Sequence, residues 1–145
     1  MATRTGNAEW KGNLQEGEGT VASESGAVDA SYSFSRFGDE ATGPQTNPEE
    51  LIAAAHASCF SMALSHELSE AGNVPDSIRT TAKVDVRPQP AGGFAIIRSA
   101  LETEGRVPGI DADEFQRFAE GAKAGCPVSK ALGAIEIELE ARLVS

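Results

Sequence analysis

The longest hydrophobic stretch of the chain runs from Asn47 to Leu68, and its apolar residues would face almost every side of a helix. Asn47 is a favourable N-cap, and Pro48 suits the first helical position, where no backbone donor is needed. Gly72 follows as a stop signal. The pattern therefore predicts a long helix that is buried on most sides, with the rest of the chain arranged around it.

Strands are predicted by a different pattern, in which apolar and polar residues alternate with a period of two. Glycine-separated runs in the first 35 residues predict a small antiparallel meander. Later runs predict a hairpin and one final strand. The predicted strands are Thr3–Thr5, Gly19–Ala22, Ser31–Ser35, Ile78–Val86, Phe94–Glu104 and Ile135–Leu143.

Two further helices are predicted between the hairpin and the last strand. Asp111 and Glu114 have the spacing of a capping box, and Gly125 ends the helix that they begin. Pro127 favours a short helix over residues 127–132, with Cys126 as its N-cap. The resulting element order predicts an α+β fold, with mostly antiparallel sheet around a long central helix. A chain of 145 residues is expected to form one domain, residues 1–145.

The charge of the chain restricts its partners. A formal net charge of -10 argues against nucleic acid or an anionic membrane surface, because both would repel the protein. The first ten residues lack the layout of a signal peptide, and no apolar run reaches the length of about 18 residues that a membrane span needs. We expect a cytoplasmic protein, in which two cysteines are more typical of core residues, a metal pair or a redox pair than of a permanent disulfide.

The two cysteines have different predicted environments. Cys126, at a helix N-terminus, would face free N–H groups that favour the thiolate. Cys59 lies about three turns inside the long helix, where burial raises the pKa of a thiol. A reactive Cys59 needs about 2.7 kcal/mol of thiolate stabilisation, and a cation about 4 Å away can supply roughly 4 kcal/mol. Arg36, in the loop before the helix, is the candidate, and Glu49 or Glu50 could hold it in place.

The residues also allow less reactive interpretations. Free cysteine is among the most frequently buried residues, so Cys59 can be read as core filling. His56 shares a helix face with Cys59, and the two could bind zinc together with Cys126 if a fourth ligand were present. His66 lies about 10 Å further along the helix, which is too far to share that metal.

Several motifs then carry a family resemblance that extends over nearly the whole chain. They are Trp10–Gly12, Gly19–Val21, Asn47–Leu51, Ala55–Leu64, Val107–Asp111 and Ala122–Ser129. Together they resemble the osmotically inducible protein C branch of the OsmC/Ohr family. The resemblance implies an intertwined homodimer and a cysteine-based peroxidase that reduces organic hydroperoxides, and hydrogen peroxide less well. It implies no metal or prosthetic group.

The resemblance also assigns roles to individual residues. Cys59 would be the peroxidatic thiolate, Cys126 the resolving thiol, Arg36 the activating cation and Glu49 the carboxylate that orients it. A dithiol, such as a lipoylated protein, would reduce the resulting disulfide. A non-catalytic stress or redox-sensing protein with structural or zinc-binding cysteines is the alternative.

Helix geometry adds a constraint on Glu49. Ten residues separate it from Cys59, which is about 15 Å along a straight helix and about 80° around it. Either the helix breaks near His56, or Glu49 serves the active site of the other subunit, and we favour the second. An apolar pocket for the alkyl group is expected from residues that include Phe34, Phe37, Phe60 and Met62.

Overall fold

The computed structural model describes residues 1–34 and 43–145, and it has the expected α+β order. It divides into two compact units, Met1–Leu51 and Ile52–Ser145. The elements are β1 (Gly6–Lys11), β2 (Glu18–Ser23), β3 (Asp29–Tyr32), α1 (Pro48–Glu70), β4 (Ser77–Pro88), β5 (Phe94–Arg106), α2 (Ala112–Gly125), α3 (Pro127–Ala131) and β6 (Glu136–Leu143).

The first unit contains the predicted antiparallel meander, in the order β1-β2-β3. The first strand was predicted too early, at Thr3–Thr5. It begins at Gly6, because the ladder with β2 pairs Gly6 with Ser23 and Lys11 with Glu18. This register brings Trp10 against Tyr32, with ring centroids 5.5 Å apart.

The second unit contains a three-stranded sheet with β5 in the middle. The hairpin of β4 and β5 is antiparallel, as predicted. β6 pairs with the other edge of β5 in parallel, because α2 and α3 form a crossover connection that returns the chain in the same direction. The pairing skips Ile97, since Asp85 faces Arg98 and Val86 faces Ile96. This bulge explains why the alternation of β5 is irregular at Ile97.

Both ends of α1 are formed by the residues that the sequence indicated. The Asn47 Oδ1 atom accepts a hydrogen bond from the Glu50 N–H at 2.7 Å. At the other end, the Asn73 N–H donates to the Leu68 carbonyl at 2.8 Å, and Gly72 has a φ of 85°. This is a Schellman motif, which requires the left-handed conformation that glycine adopts readily.

The expected burial of α1 on most sides is not met by the single chain. One stripe of residues at a spacing of four is buried, namely His56, Phe60, Leu64 and Leu68. Met62 is 73 % exposed although it is apolar. α1 therefore presents apolar surface on a face that residues 1–34 and 43–145 of the same chain leave exposed.

The core of the second unit lies between α1, α2 and the sheet. The α1 stripe packs with buried residues of β5, of the segment that follows it and of α2, which are Leu101, Val107, Phe115, Ala119 and Ala122, and with Cys126. Gly105 allows this approach, because a Cβ atom there would lie 2.5 Å from the Phe115 ring. None of the helices in the described parts of the chain is both long and apolar enough to span a membrane.

Candidate active site

The two cysteines come together inside the second unit. Cys59 lies in the middle of α1 and is partly exposed, whereas Cys126 is fully buried where α2 ends and α3 begins. Both thiols are free, and their side chains interact as hydrogen-bond partners. The fold thus places side by side two residues that are 67 positions apart in the sequence.

Cys126 is positioned by the two helices that meet at it. α2 begins with the predicted capping box, in which Asp111 Oδ1 accepts from the Glu114 N–H at 2.9 Å and Glu114 Oε2 accepts from the Asp111 N–H at 3.0 Å. Its last turn includes the hydrogen bond from the Cys126 N–H to the Ala122 carbonyl, at 2.9 Å. Pro127 then starts α3, with Cys126 at the N-cap position as predicted.

The surroundings of Cys126 favour its thiolate. Burial by itself raises the pKa of this thiol, but the Cys59 thiol, the N–H and hydroxyl of Ser129 and the N–H of Val128 outweigh it. The pKa of Cys126 is therefore lowered, although its side chain forms no cap hydrogen bond of ordinary geometry. Amide groups at the start of α3 thus stabilise negative charge on the sulfur.

Cys59 has the opposite tendency. Burial raises the pKa of Cys59, and its interaction with Cys126 raises it further, while the Val128 N–H lowers it. Because the two thiols interact, the negative charge of a singly deprotonated pair is drawn toward Cys126. This agrees with the expectation that reactivity at Cys59 has to come from a group outside α1.

The roles of the other two predicted site residues, Arg36 and Glu49, stay predictions. Arg36 and Phe37 lie outside the described residues. Glu49 is in the first turn of α1, in the first unit, and it is partly buried. α1 continues without interruption from Pro48 to Glu70, so the alternative in which the helix breaks near His56 is wrong.

His56 has a more specific setting than the sequence suggested. Its side chain is fully buried, its Nδ1 atom is 2.6 Å from Ser99 Oγ, and its Nε2 atom is 2.8 Å from Ser129 Oγ. Burial lowers the pKa of His56, so the ring is neutral near pH 7. Serines at positions 43 and 73 residues further along the chain could not be identified as its partners from local sequence.

The His56 contacts also bear on zinc. Both ring nitrogens are engaged by serine hydroxyls, so neither is directed at the cysteine pair. Within residues 1–34 and 43–145, no group of three or more His, Cys, Asp or Glu side chains is arranged to hold a metal ion. Among the described residues, His56, Cys59 and Cys126 therefore do not form the zinc site that the sequence allowed.

The predicted apolar pocket needs one correction. Phe60 is fully buried in the core, because it belongs to the α1 stripe that packs on the sheet and α2. It cannot line a pocket that opens to solvent. Met62 is exposed, and Phe34 lies in the first unit, in a cleft that includes Trp10, Tyr32 and Pro48.

Known proteins resemble this chain in sequence and in structure. The family model described as OsmC-like protein matches residues 39–140. The chain is 52 % identical to the peroxiredoxin OsmC of Escherichia coli, over 98 % of this chain and 97 % of that protein. It is 35 % identical to the organic hydroperoxide resistance protein of Xanthomonas axonopodis pv. citri, over 84 % of each.

The fold comparison agrees with the sequence comparison. The crystal structure of the organic hydroperoxide resistance protein OhrB of Bacillus subtilis superposes with a TM-score of 0.74, at 28 % identity. The match covers 94 % of this chain and 97 % of that one. The α+β fold and the family resemblance seen in the sequence are both confirmed, and the chain belongs to the OsmC-like protein family.

Proposed function

We propose that this protein is a cysteine-based peroxidase that reduces organic hydroperoxides, and hydrogen peroxide less well. The observation that carries the proposal is the contact between two free thiols, one in the middle of α1 and one at the junction of α2 and α3. Relatives named peroxiredoxin OsmC and organic hydroperoxide resistance protein support the same reaction class.

Accessibility supports different roles for the two cysteines. Cys126 has no exposed surface, so a peroxide cannot reach its sulfur, whereas Cys59 is partly exposed. We therefore assign Cys59 as the peroxidatic residue and Cys126 as the resolving residue. A buried thiol next to the site of oxidation is well placed to attack the product before a second peroxide arrives.

The reaction proceeds in three steps. The Cys59 thiolate attacks the terminal peroxide oxygen, the O–O bond breaks, and the alkoxide leaves as an alcohol after taking up a proton. Cys126 then attacks the sulfenic acid on Cys59, which forms the disulfide and releases water. A dithiol, such as a lipoylated protein, reduces the disulfide by thiol exchange and restores both thiols.

The first step requires negative charge on Cys59, while the described surroundings draw it toward Cys126. We assign Arg36 as the cation that reverses this preference and Glu49 as the carboxylate that orients it. A cation about 4 Å from a sulfur contributes roughly 4 kcal/mol at an effective dielectric constant near 20, which is sufficient. The same guanidinium would donate hydrogen bonds to the peroxide oxygens as charge develops.

A homodimer completes this site. The exposed apolar face of α1 needs a cover, and a second copy of the chain can supply it. Because α1 is unbroken, the role of Glu49 falls to Glu49 of the partner subunit.

Residues 1–145 would form one OsmC-like domain, since the Escherichia coli relative aligns with 98 % of the chain. Two free thiols fit the reducing cytoplasm, and the net charge of -10 fits neither nucleic acid nor an anionic membrane as a partner.

The test follows peroxide consumption by the purified protein with cumene hydroperoxide and a dithiol. Cys59→Ser should reduce turnover to background, because it removes the attacking sulfur. Cys126→Ser should allow one oxidation and leave a sulfenic acid on Cys59 that dimedone captures.

Two results would contradict the peroxidase. A wild-type protein that consumes no peroxide with any dithiol would overturn it. A disulfide that forms once but is never turned over would indicate the redox-sensing alternative.

A further inference from the structure

His56 forms a buried polar connection that the proposed reaction does not use. Its ring bridges two hydroxyl groups, Ser99 on β5 and Ser129 on α3, at 2.6 and 2.8 Å. His56, Ser99 and Ser129 are all buried, so water does not compete for these hydrogen bonds. A neutral imidazole between two hydroxyls can accept a proton at one nitrogen while it donates from the other.

The connection continues from Ser129 to the thiol pair. Ser129 lies in the first turn of α3, three residues after Cys126, and its hydroxyl interacts with the Cys126 sulfur. Cys126 in turn contacts Cys59. A continuous hydrogen-bonded path therefore runs from the imidazole through one hydroxyl to the buried thiol.

We propose that His56 is a positioning residue that acts through Ser129 and holds the proton of Cys126 while Cys126 attacks oxidised Cys59. This inference rests on the proposed peroxidase function. It assigns a task to a side chain that touches neither peroxide nor the reacting oxygen.

The protons and electrons of the step balance. The Cys126 S–H bond breaks, its proton passes to the Ser129 oxygen, and the hydroxyl proton of Ser129 passes to His56 Nε2. The Nδ1–H remains donated to Ser99 Oγ. The Cys126 thiolate then attacks the Cys59 sulfur, the S–S bond forms, and the S–O bond of the sulfenic acid breaks. The departing hydroxide takes up one proton from solvent at the partly exposed Cys59 and leaves as water, while His56 releases to solvent the proton that it took from Cys126, so no net proton is gained or lost. Cys126 is oxidised and the sulfenic sulfur is reduced.

A purely structural role does not explain why an imidazole is needed here. α1 is already linked to the sheet by hydroxyl groups alone, since Ser61 Oγ donates to Thr80 Oγ1 at 2.8 Å. Thr80 Oγ1 is 2.9 Å from Thr103 Oγ1. Ser61 and Thr80 therefore provide a matched link between α1 and the sheet, and among the described residues neither is one of the groups that act on the Cys126 thiol. Burial lowers the pKa of His56 and keeps its ring neutral, so one ring nitrogen can accept a hydrogen bond from a serine hydroxyl, and a proton is held there only while the thiolate attacks.

The experiment measures the oxidation of Cys59 and the condensation with Cys126 separately. Reduced protein is mixed with increasing cumene hydroperoxide and quenched, and mass spectrometry quantifies disulfide and overoxidised Cys59 sulfinic acid. The ratio of the two products reports condensation relative to a second oxidation. In His56→Gln, which keeps an acceptor but cannot hold the proton, condensation should slow by at least about tenfold, with the first oxidation nearly unchanged.

Four further variants accompany this measurement. Ser129→Ala should reproduce the loss, and His56→Gln combined with Ser129→Ala should lose little more than either alone, because both interrupt one path. Ser61→Ala and His66→Gln, on the same helix, should condense at the wild-type rate. His66 is exposed, which makes it a histidine control.

The outcomes separate the two levels of the proposal. Unchanged condensation in both His56→Gln and Ser129→Ala would overturn the role of His56 while leaving the peroxidase intact. An equal fall of oxidation and condensation, together with a lower melting temperature, would reduce His56 to a packing residue. A wild-type protein that forms neither sulfinic acid nor disulfide would overturn the peroxidase itself. If His56→Gln fails to fold, Ser129→Ala decides the question alone.

Discussion

Cys59 and Cys126 contact each other, yet their surroundings supply different properties. Cys126 has the start of α3 and the Ser129 hydroxyl to stabilise a thiolate, but it is fully buried. Cys59 is accessible, but burial and its neighbour raise its pKa. The lowered thiol pKa therefore belongs to Cys126, and the accessible sulfur belongs to Cys59. A peroxidase needs both on the same atom, so the comparison indicates that the activating group for Cys59 is not part of α1.

The largest expected effect comes from removing that activating group. Arg36→Ala should lower the second-order rate of Cys59 oxidation at pH 7 on the order of 100-fold, because the thiolate loses about 2.7 kcal/mol of stabilisation. The rate is followed by single-turnover oxidation with cumene hydroperoxide. Arg79→Ala is a matched control, since Arg79 is exposed on β4. An unchanged rate would show that a group other than Arg36 stabilises the Cys59 thiolate.

A smaller effect is expected in the pH dependence of stability. The pKa of His56 is lowered in the folded state, whereas the unfolded chain binds a proton near pH 6.5. The folded protein therefore loses stability as the pH falls below about 6.5, by at most about 1.4 kcal/mol per pH unit. Denaturant unfolding between pH 7.5 and roughly pH 5 measures this slope. His56→Gln should flatten it; equal slopes in the wild-type protein and this variant would show that His56 is not protected from protonation.

The smallest effect tests the contact between the two thiols directly. In Cys126→Ala, the pKa of Cys59 should fall, because the buried neighbour that raises it is gone. Burial remains, so the fall is partial. The pH dependence of Cys59 alkylation by iodoacetamide measures it. Ser58→Ala is the control, since the exposed Ser58 hydroxyl donates to the Ala55 carbonyl and not to the thiol pair. A Cys59 pKa that stays the same or rises would mean that Cys126 is not a cause of the raised pKa of Cys59.

The sequence predicted the parts of the fold that depend on neighbouring residues. Asn47, Gly72 and the Asp111–Glu114 pair form the helix ends that they indicated, because capping involves residues within one turn. The parallel pairing of β6 was not predicted, since strand direction depends on a crossover of about 30 residues between β5 and β6. The bulge at Ile97 was visible only as an irregular alternation.

The candidate site shows the same division between local and distant signals. The N-cap position of Cys126 could be predicted from Pro127, which is its neighbour. The contact of Cys126 with Cys59 was one of several possibilities until the family resemblance favoured it, because no local pattern relates residues that far apart. The serine partners of His56 were missed for the same reason. For α1, the apolar pattern predicted burial on most sides, but the described part of a single chain buries one stripe of the helix.

The position of the thiol pair also means that the proposed cycle would change the stability of the fold. A bond between Cys59 and Cys126 would close a loop of 67 positions that contains β4, β5 and α2. In the chain-entropy description, a cross-link over such a loop makes the folded state more stable by about 4 kcal/mol. The oxidised enzyme would thus resist unfolding more than the reduced one. Each turnover would raise the free energy of unfolding of the second unit when the disulfide forms and lower it again when the disulfide is reduced.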